Sequence, residues 1–235
     1  MHTTRPRSET GVIDWQPQRY GTSVLGQALE IWIPESSDCD CLIFAGIHGE
    51  EPETTVLLSR LLRSLQSPPK RTAVILCANP DGLVRGTRGN ANGVDLNRNF
   101  PASNWSPEPA THRWTVDEPD RILLSPGKEP ASEPETRALI RKIELLNPPH
   151  IVALHAPLAC IDDPLKSDLG KQLARESGFP LVTDIGYPTP GSLGSWASDQ
   201  GRHVITYELE VAGIEKLICR HLPVLQKLVT SVSSK

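Results

Sequence analysis

Short apolar runs alternate along this chain with longer amphipathic stretches, which is the pattern of alternating strands and helices. The first clear run is Leu42–Ala45, and the stretch after Pro52 repeats leucines on one side of a helix to about Leu65. A second apolar run, Ala73–Cys77, completes a strand–helix–strand unit, and such a unit favours parallel strands. The pattern therefore predicts an α/β fold with a mixed, mostly parallel central sheet flanked by helices.

The rest of the chain continues this alternation, with two interruptions. From the turn at Asn79–Gly82 to about Pro134 the pattern is irregular, and Gly186–Gly194 is a second loop rich in proline and glycine. No internal repeat or linker is present, so we predict a single domain over residues 1–235, with 1–20 as a loosely held leader. The remaining predicted strands are Val24–Leu25, Leu29–Ile33, Ile151–Leu154, Leu181–Thr183 and Val204–Glu208, and the remaining helices are Glu133–Leu146, 166–177 and Ile214–Val229.

The composition is that of an ordinary soluble globular protein, with 38% hydrophobic and 22% charged residues in 235 positions. A net charge of −4 offers no basic surface for nucleic acid, and no apolar run approaches the roughly 18 residues of a membrane span. The N-terminus lacks an apolar signal core, and the five cysteines show no framework spacing. We therefore expect free thiols in a cytoplasmic protein, and a homodimer is a hypothesis that no sequence pattern tests.

Two predicted strands end at side chains that bind metals. His48 and Glu51 lie between the strand at Leu42–Ala45 and the following helix, and His155 follows the strand Ile151–Leu154. Parallel neighbouring strands would bring these three side chains to one edge of the sheet, where a fourth position remains for water. The alternative is structural: acids are favoured at a helix N-terminus, and a single histidine at a strand end is often only a packing residue.

Several motifs in order resemble the zinc carboxypeptidase superfamily, the funnelins. They are Asn79-Pro-Asp-Gly82, then Gly93-Val-Asp-Leu-Asn97-Arg98-Asn99-Phe100-Pro101, and the succession His48-x-x-Glu51, Asn97-Arg98, His155 and Glu208. The resemblance extends from about residue 20 to the end of the chain. It implies a zinc carboxypeptidase-like fold and a metallopeptidase with one Zn²⁺ per chain.

The resemblance assigns roles position by position. The zinc ligands correspond to His48, Glu51 and His155, and the general base corresponds to Glu208. A carboxylate near the end of an apolar strand is partly desolvated, which raises its pKa towards the range useful for moving protons. The pair Asn97 and Arg98 corresponds to the pocket for the substrate carboxylate, a role that suits the two-pronged guanidinium of arginine.

Two arginines are open as the group that polarises the scissile carbonyl. Comparison with the digestive carboxypeptidases favours Arg85, whereas the bacterial murein-peptidase pattern Gly-x-Arg-x-Asn favours Arg88, which we prefer. Arg85 is then expected to contact the substrate or to support the site from behind. The chain also has Ser198 where the digestive enzymes carry a mobile tyrosine, which argues against a plain C-terminal carboxypeptidase.

The segments Ala91–Pro101, His155–Pro164 and Gly191–Trp196 resemble the murein peptidases within this superfamily. This implies hydrolysis of the γ-D-glutamyl-meso-diaminopimelate bond in the murein tripeptide L-Ala-γ-D-Glu-meso-diaminopimelate, a small peptide substrate of cell-wall recycling. A selective pocket needs an acid for the distal ammonium of diaminopimelate. The acids available for that role are Asp162, Asp163 and Asp199, and Trp196 either walls the pocket or packs in the core.

Two other functions compete with this one. A zinc-dependent N-acyl amino-acid deacylase would share the scaffold and the His-x-x-Glu turn, but the murein-like segments argue against it. A module that binds zinc or peptide without catalysis would have no use for a base at Glu208. Product analysis separates the first two functions, and a turnover assay with a chelator separates the third.

Overall fold

A six-stranded sheet forms the centre of the protein. The structure, a computed structural model, describes residues 11–34, 36, 38–113 and 121–231. The sheet contains β3 (Cys41–Phe44), β4 (Thr72–Ile75), β7 (His150–His155), β8 (Leu158–Asp162), β9 (Leu181–Val182) and β10 (Val204–Glu210). Their order is β4-β3-β7-β10-β8-β9, and only the β8–β10 pair is antiparallel. The sheet is therefore mixed and mostly parallel, as the apolar pattern predicts.

Helices cover both faces of this sheet. The helices are α1 (Pro52–Ser64), α2 (Pro80–Arg85), α3 (Pro134–Leu146), α4 (Asp168–Ser177), α5 (Leu193–Asp199) and α6 (Ile214–Ser231). Leucines of α1 pack with apolar residues of α4 and α6 on one face, and α3 and α5 pack on the other. This two-sided cover explains why the central strands read as continuous apolar runs.

The first of the two predicted N-terminal strands, Val24–Leu25, is wrong. The antiparallel pair consists of β1 (Gln18–Thr22) and β2 (Ala28–Ile31), and Val24–Leu25 lies in the turn between them. That turn is held by Asp81, which accepts hydrogen bonds from the Ser23 hydroxyl and the Leu25 backbone N–H. The polar sequence of β1 gives no apolar signal, and of the proposed leader 1–20 only residues 11–20 are described.

The irregular segment after Asn79 is more ordered than its composition indicates. Asn79 is the N-cap of α2 rather than part of an isolated turn, a 3₁₀ turn spans Leu96–Arg98, and β5 (Ala110–Arg113) pairs with β6 (Arg121–Leu124) in a hairpin. Buried side-chain amides connect the loops, since Asn90 donates to Glu133 and Asn99 donates to the Pro126 carbonyl. Such long-range bonds replace local periodicity, so no short pattern could predict them.

The cysteines and the helices give two further observations. All five cysteines are free thiols, of which Cys39, Cys41 and Cys160 are buried and Cys219 is exposed. In the part of the chain that the structure describes, no helix has the length and apolar character needed to cross a membrane.

Candidate active site

His48, Glu51 and His155 converge at the carboxyl ends of β3 and β7. The Nδ1 atom of His48 lies 2.7 Å from Glu51 Oε1, and the Nδ1 atom of His155 lies 3.2 Å from Glu51 Oε2. The two imidazole nitrogens are themselves 3.2 Å apart. The three potential ligand atoms fall within 4.8 Å of one another, and all three residues are buried. The sheet thus brings the predicted triad together although His155 is distant in sequence.

The chemistry of this cluster fits a divalent cation. Burial acts to raise the pKa of Glu51, but the neighbouring charges of His48 and His155 outweigh burial and lower it, so the carboxylate is ionised. Glu51 Oε2 is buried and makes no hydrogen bond. Two imidazole nitrogens and an ionised carboxylate lie close together in a buried site. A cation that contacts all three would compensate for their lost hydration. Two imidazoles and a carboxylate are also a ligand set of catalytic zinc sites.

The turn that carries His48 and Glu51 depends on close contact between two backbones. A Cβ atom on Gly49 would lie 2.0 Å from the carbonyl carbon of Gly82, so only glycine fits at position 49, directly after His48. Asn79 secures the same junction, because its amide nitrogen lies 3.2 Å from the Ile47 carbonyl and 3.3 Å from the Arg88 carbonyl. The start of α2 therefore sets the position of the metal-binding turn.

Replacing Gly49 by alanine is expected to displace this turn, with a loss of about 1–3 kcal/mol or more in unfolding free energy, as for other overpacked sites. Bound metal per chain should fall as well, which calorimetry and elemental analysis can measure together. Gly213→Ala is the matched control, since a Cβ there meets nothing within 4 Å. Equal stability and metal content in both variants would contradict the proposed role of Gly49.

Glu208 lies beside the cluster on β10. It is the register partner of His155 on β7 and of Cys160 on β8, which places its carboxylate at the same edge of the sheet. Glu208 is 7% exposed, and burial raises the pKa of its carboxyl despite the opposing charge of His155. A desolvated carboxyl beside these three potential metal ligands is suited to accept and release a proton.

Arg88, and not Arg85, belongs to the site. Its guanidinium lies 2.9 Å from Asp95 Oδ2 and 3.2 Å from Glu50 Oε1, and it lines the same cavity as the metal cluster. Burial acts to lower the pKa of Arg88, but the carboxylates of Asp95 and Glu51 outweigh burial and raise it, so the positive charge is retained. Arg85 is exposed and outside the cavity lining, and among the described residues its guanidinium hydrogen-bonds to the Ala91 carbonyl. The structure therefore favours the murein-peptidase pattern for the arginine.

Asn97 and Arg98 lie on the 3₁₀ turn and both line the cavity. The amide oxygen of Asn97 accepts a hydrogen bond from the Leu193 backbone N–H, so its amide nitrogen is left to donate to a ligand. Arg98 is buried and donates from Nη1 to the Asn97 carbonyl, while its Nε has no hydrogen-bond partner. These donors are suited to a carboxylate.

The cavity has a volume of about 1350 Å³ and holds most of the predicted site residues. Asp162 lines it, but Asp199 and Trp196 do not. Asp199 accepts hydrogen bonds from the backbone N–H and hydroxyl of Ser103, and Trp196 is buried against Phe100 with ring centroids 5.8 Å apart. Both residues belong to α5, a short helix within a Gly- and Ser-rich stretch, so its buried face could not be predicted.

Three residues with evident roles were not singled out by the sequence. Asp95 is buried between His48 and Arg88, 3.2 Å from His48 Nε2, and caps the 3₁₀ turn through the Asn97 N–H. It lies inside the quoted Gly93–Pro101 motif, so that motif could have indicated it. Tyr187 lines the cavity, and Asn79 joins the two loops as described above. Tyr187 lies in a proline- and glycine-rich loop that gives no pattern.

Comparison with solved structures identifies the class of fold. A carboxypeptidase A of Helicoverpa armigera superposes with a TM-score of 0.68 at 18% identity, covering 93% of this chain and 67% of that one, which shows a common fold. Residues 38–130 match the family model of the succinylglutamate desuccinylase/aspartoacylase catalytic domain. The chain therefore has a zinc carboxypeptidase-like fold, with a group of three potential metal ligands at one edge of its sheet.

Closer relatives identify the family. Over 212 residues the chain is 49% identical to murein peptide amidase A of Escherichia coli K12, covering 88% of this chain and 87% of the relative. The crystal structure of the murein-tripeptide amidase of Escherichia coli O157 superposes with a TM-score of 0.93 at 43% identity and covers 97% of this chain and 98% of that one. The chain belongs to the murein peptide amidase A family.

Proposed function

We propose that this protein hydrolyses the γ-D-glutamyl-meso-diaminopimelate bond of murein tripeptide. The observation that carries the proposal is the His48, Glu51 and His155 cluster with Glu208 beside it, in a chain with 49% identity to a murein peptide amidase. The predicted alternative, a deacylase, has support only from the family model over residues 38–130. The relative covers far more of the chain, so the deacylase is not favoured.

His48, Glu51 and His155 would hold one zinc ion per chain. Zinc, when bound, supplies a Lewis acid that polarises a carbonyl and lowers the pKa of water to about 7. The carboxylate of Asp95, 3.2 Å from His48 Nε2, orients the first imidazole through the ring nitrogen that does not face the cluster. Glu51 supplies the negative charge of the ligand set.

The other residues of the cavity transfer the proton, stabilise the developing negative charge and bind the substrate. Glu208 takes the proton of the attacking water and passes it to the leaving amine, and its raised pKa suits both steps. Arg88, anchored by Asp95 and Glu50, stabilises negative charge on the carbonyl oxygen. Asn97 and Arg98 bind the carboxylate next to the scissile amide, and we propose no substrate contact for Arg85.

Asp162 is the acid that best suits the distal ammonium of diaminopimelate. Asp163 is fully buried with its oxygens bonded to Ser167 and His203, and Asp199 is bonded to Ser103 outside the cavity. Asp162 lines the cavity, and its Oδ1 is buried without a hydrogen-bond partner. Burial, together with the charges of Asp163 and Asp184, raises the pKa of Asp162 to about 6, so a bound ammonium would find it ionised at neutral pH.

Asp162→Asn is expected to remove the preference for cationic side chains. Tripeptides ending in diaminopimelate or lysine should lose about 10- to 100-fold in kcat/KM relative to one ending in norleucine, as expected for one charged hydrogen bond. Thermal stability at pH 7 should not fall: the raised pKa means that ionised Asp162 opposes folding above its unfolded pKa, and asparagine removes that penalty. Asp199→Asn is the control, and a loss of preference there instead would assign the role to Asp199.

Mass spectrometry of the products tests the proposed function itself. Purified murein tripeptide should yield L-Ala-D-Glu and free diaminopimelate, with no release from N-acetyl amino acids under the same conditions. Release of a simple acyl acid, with the tripeptide untouched, would establish the deacylase and exclude the peptidase.

Three further proposals concern the protein as a whole. The free cysteines suit a reducing compartment, and we place the protein in the cytoplasm, where murein peptides are recycled. We propose that residues 1–235 form one functional unit. We also propose a homodimer, which light scattering of the purified protein can test. No nucleic-acid or membrane partner enters the proposal.

A further inference from the structure

Glu50 joins Arg88 to a residue of the β5–β6 hairpin. Its Oε1 atom lies 3.2 Å from Arg88 Nη1 and 2.9 Å from His112 Nε2. All three residues line the cavity. Because both basic side chains contact one carboxylate oxygen, His112 is a direct neighbour of the arginine that faces the scissile carbonyl.

The hairpin brings His112 to this position from a remote part of the chain. His112 pairs with Ile122 in the β5–β6 register, and its side chain is 23% exposed. The Nε2 atom is buried against Glu50 without a hydrogen bond of good geometry to any described residue. Because the partly exposed imidazole lines the cavity, a ligand there can contact its ring and use its donor capacity.

One of the basic side chains in the cavity has no role in the mechanism proposed above. The basic side chains that line it, among the residues described, are His48, His155, Arg88, Arg98 and His112. The first two belong to the metal cluster, Arg88 faces the carbonyl, and Arg98 takes the carboxylate of the amine half. His112 is therefore the basic group left for the acyl half of the substrate.

The acyl half of the proposed substrate carries a charge that needs such a group. A γ-linked glutamyl residue keeps its α-carboxylate free, four bonds from the scissile carbonyl carbon. Burying that carboxylate without a donor would be costly, and a charged hydrogen bond compensates. Resting on the proposed function, we propose that His112 binds the free α-carboxylate of the γ-glutamyl residue and so selects γ-linked substrates with an acidic acyl half.

The test compares two tripeptides that share the scissile bond. One carries γ-D-glutamate and the other carries D-isoglutamine, in which a carboxamide replaces the α-carboxylate. The wild-type protein should prefer the carboxylate by about 10- to 100-fold in kcat/KM, mainly through KM. His112→Gln should lose this preference while it keeps its activity on the isoglutamine peptide, and His112→Arg should restore much of the preference.

The control is Leu123→Ala, a change at an exposed residue of the same hairpin, which should keep the wild-type preference. An equal loss on both peptides in His112→Gln would show that His112 only supports Arg88 or the hairpin, and would overturn the proposal. A wild-type protein that cleaves both peptides equally would overturn it too, with the proposed function intact. If the wild-type protein cleaves neither peptide, the proposed function falls first and this inference falls with it.

Discussion

Replacing Glu208 by glutamine is expected to lower kcat by about 10²- to 10⁴-fold, the range observed for a positioned general acid–base group. Glutamine keeps the shape of the side chain but cannot accept the proton of the attacking water. Glu208 is not one of the clustered ligand residues, so the metal content should stay at the wild-type level. Single-turnover kinetics on murein tripeptide, with elemental analysis of the same sample, measures both quantities.

Glu210→Gln is a suitable comparison because Glu210 lies two residues further along β10. Its carboxylate contacts His221 and Arg220 rather than the metal cluster. This variant is expected to lose some stability and to retain its activity. If Glu208→Gln kept wild-type kcat, or lost metal together with activity, the assignment of Glu208 as the base would be wrong.

Removal of the metal is expected to abolish turnover, and added zinc should restore it. An ion held only by the folded protein stabilises it by mass action, so the melting temperature should fall on chelation. His155→Ala should reproduce both effects permanently. The thermal shift matters here because it reports metal binding without relying on activity.

His203→Gln is the matched control for His155→Ala. His203 contacts Asp163 at 2.8 Å and is absent from the ligand cluster, so this variant should bind one ion per chain. Full activity in the presence of a strong chelator, in protein shown to be metal-free, would contradict the metal-dependent mechanism.

The sequence predicted those parts of the fold and site that depend on local periodicity. The apolar runs around Leu42 and Ile151 defined two adjacent strands, and parallel strands bring the residues at their carboxyl ends together, so His48 and His155 could be placed in one cluster. Glu208 needed the family resemblance as well, because a carboxylate near a strand end has no distinctive pattern of its own.

The parts that failed depend on contacts between distant residues. The sequence does not predict β8, because its apolar run Leu158–Ile161 is only four residues long, begins directly after Pro157 and leads into the acids Asp162 and Asp163. The sequence leaves Trp196 open between pocket and core and offers Asp199 as one of three candidate acids, because a Gly- and Ser-rich stretch gives no indication of α5; the packing of this helix leaves both residues outside the cavity lining. The wall built by the β5–β6 hairpin could not be predicted either, since its strands are only four residues long and lie within the irregular segment from Asn79 to Pro134.

The antiparallel pairing of β8 with β10 has a consequence for substrate selection. Cys160 is the register partner of Glu208, and Asp162 is the partner of Thr206, so the proposed general base and the proposed ammonium-binding acid are two residues apart on one ladder. Two residues of an antiparallel strand span about 7 Å, close to the reach of the extended diaminopimelate side chain, whose distal nitrogen lies five bonds from the α-carbon. On the proposed assignment of Asp162, diamino acids one or two carbons shorter should leave their terminal nitrogen short of this carboxylate.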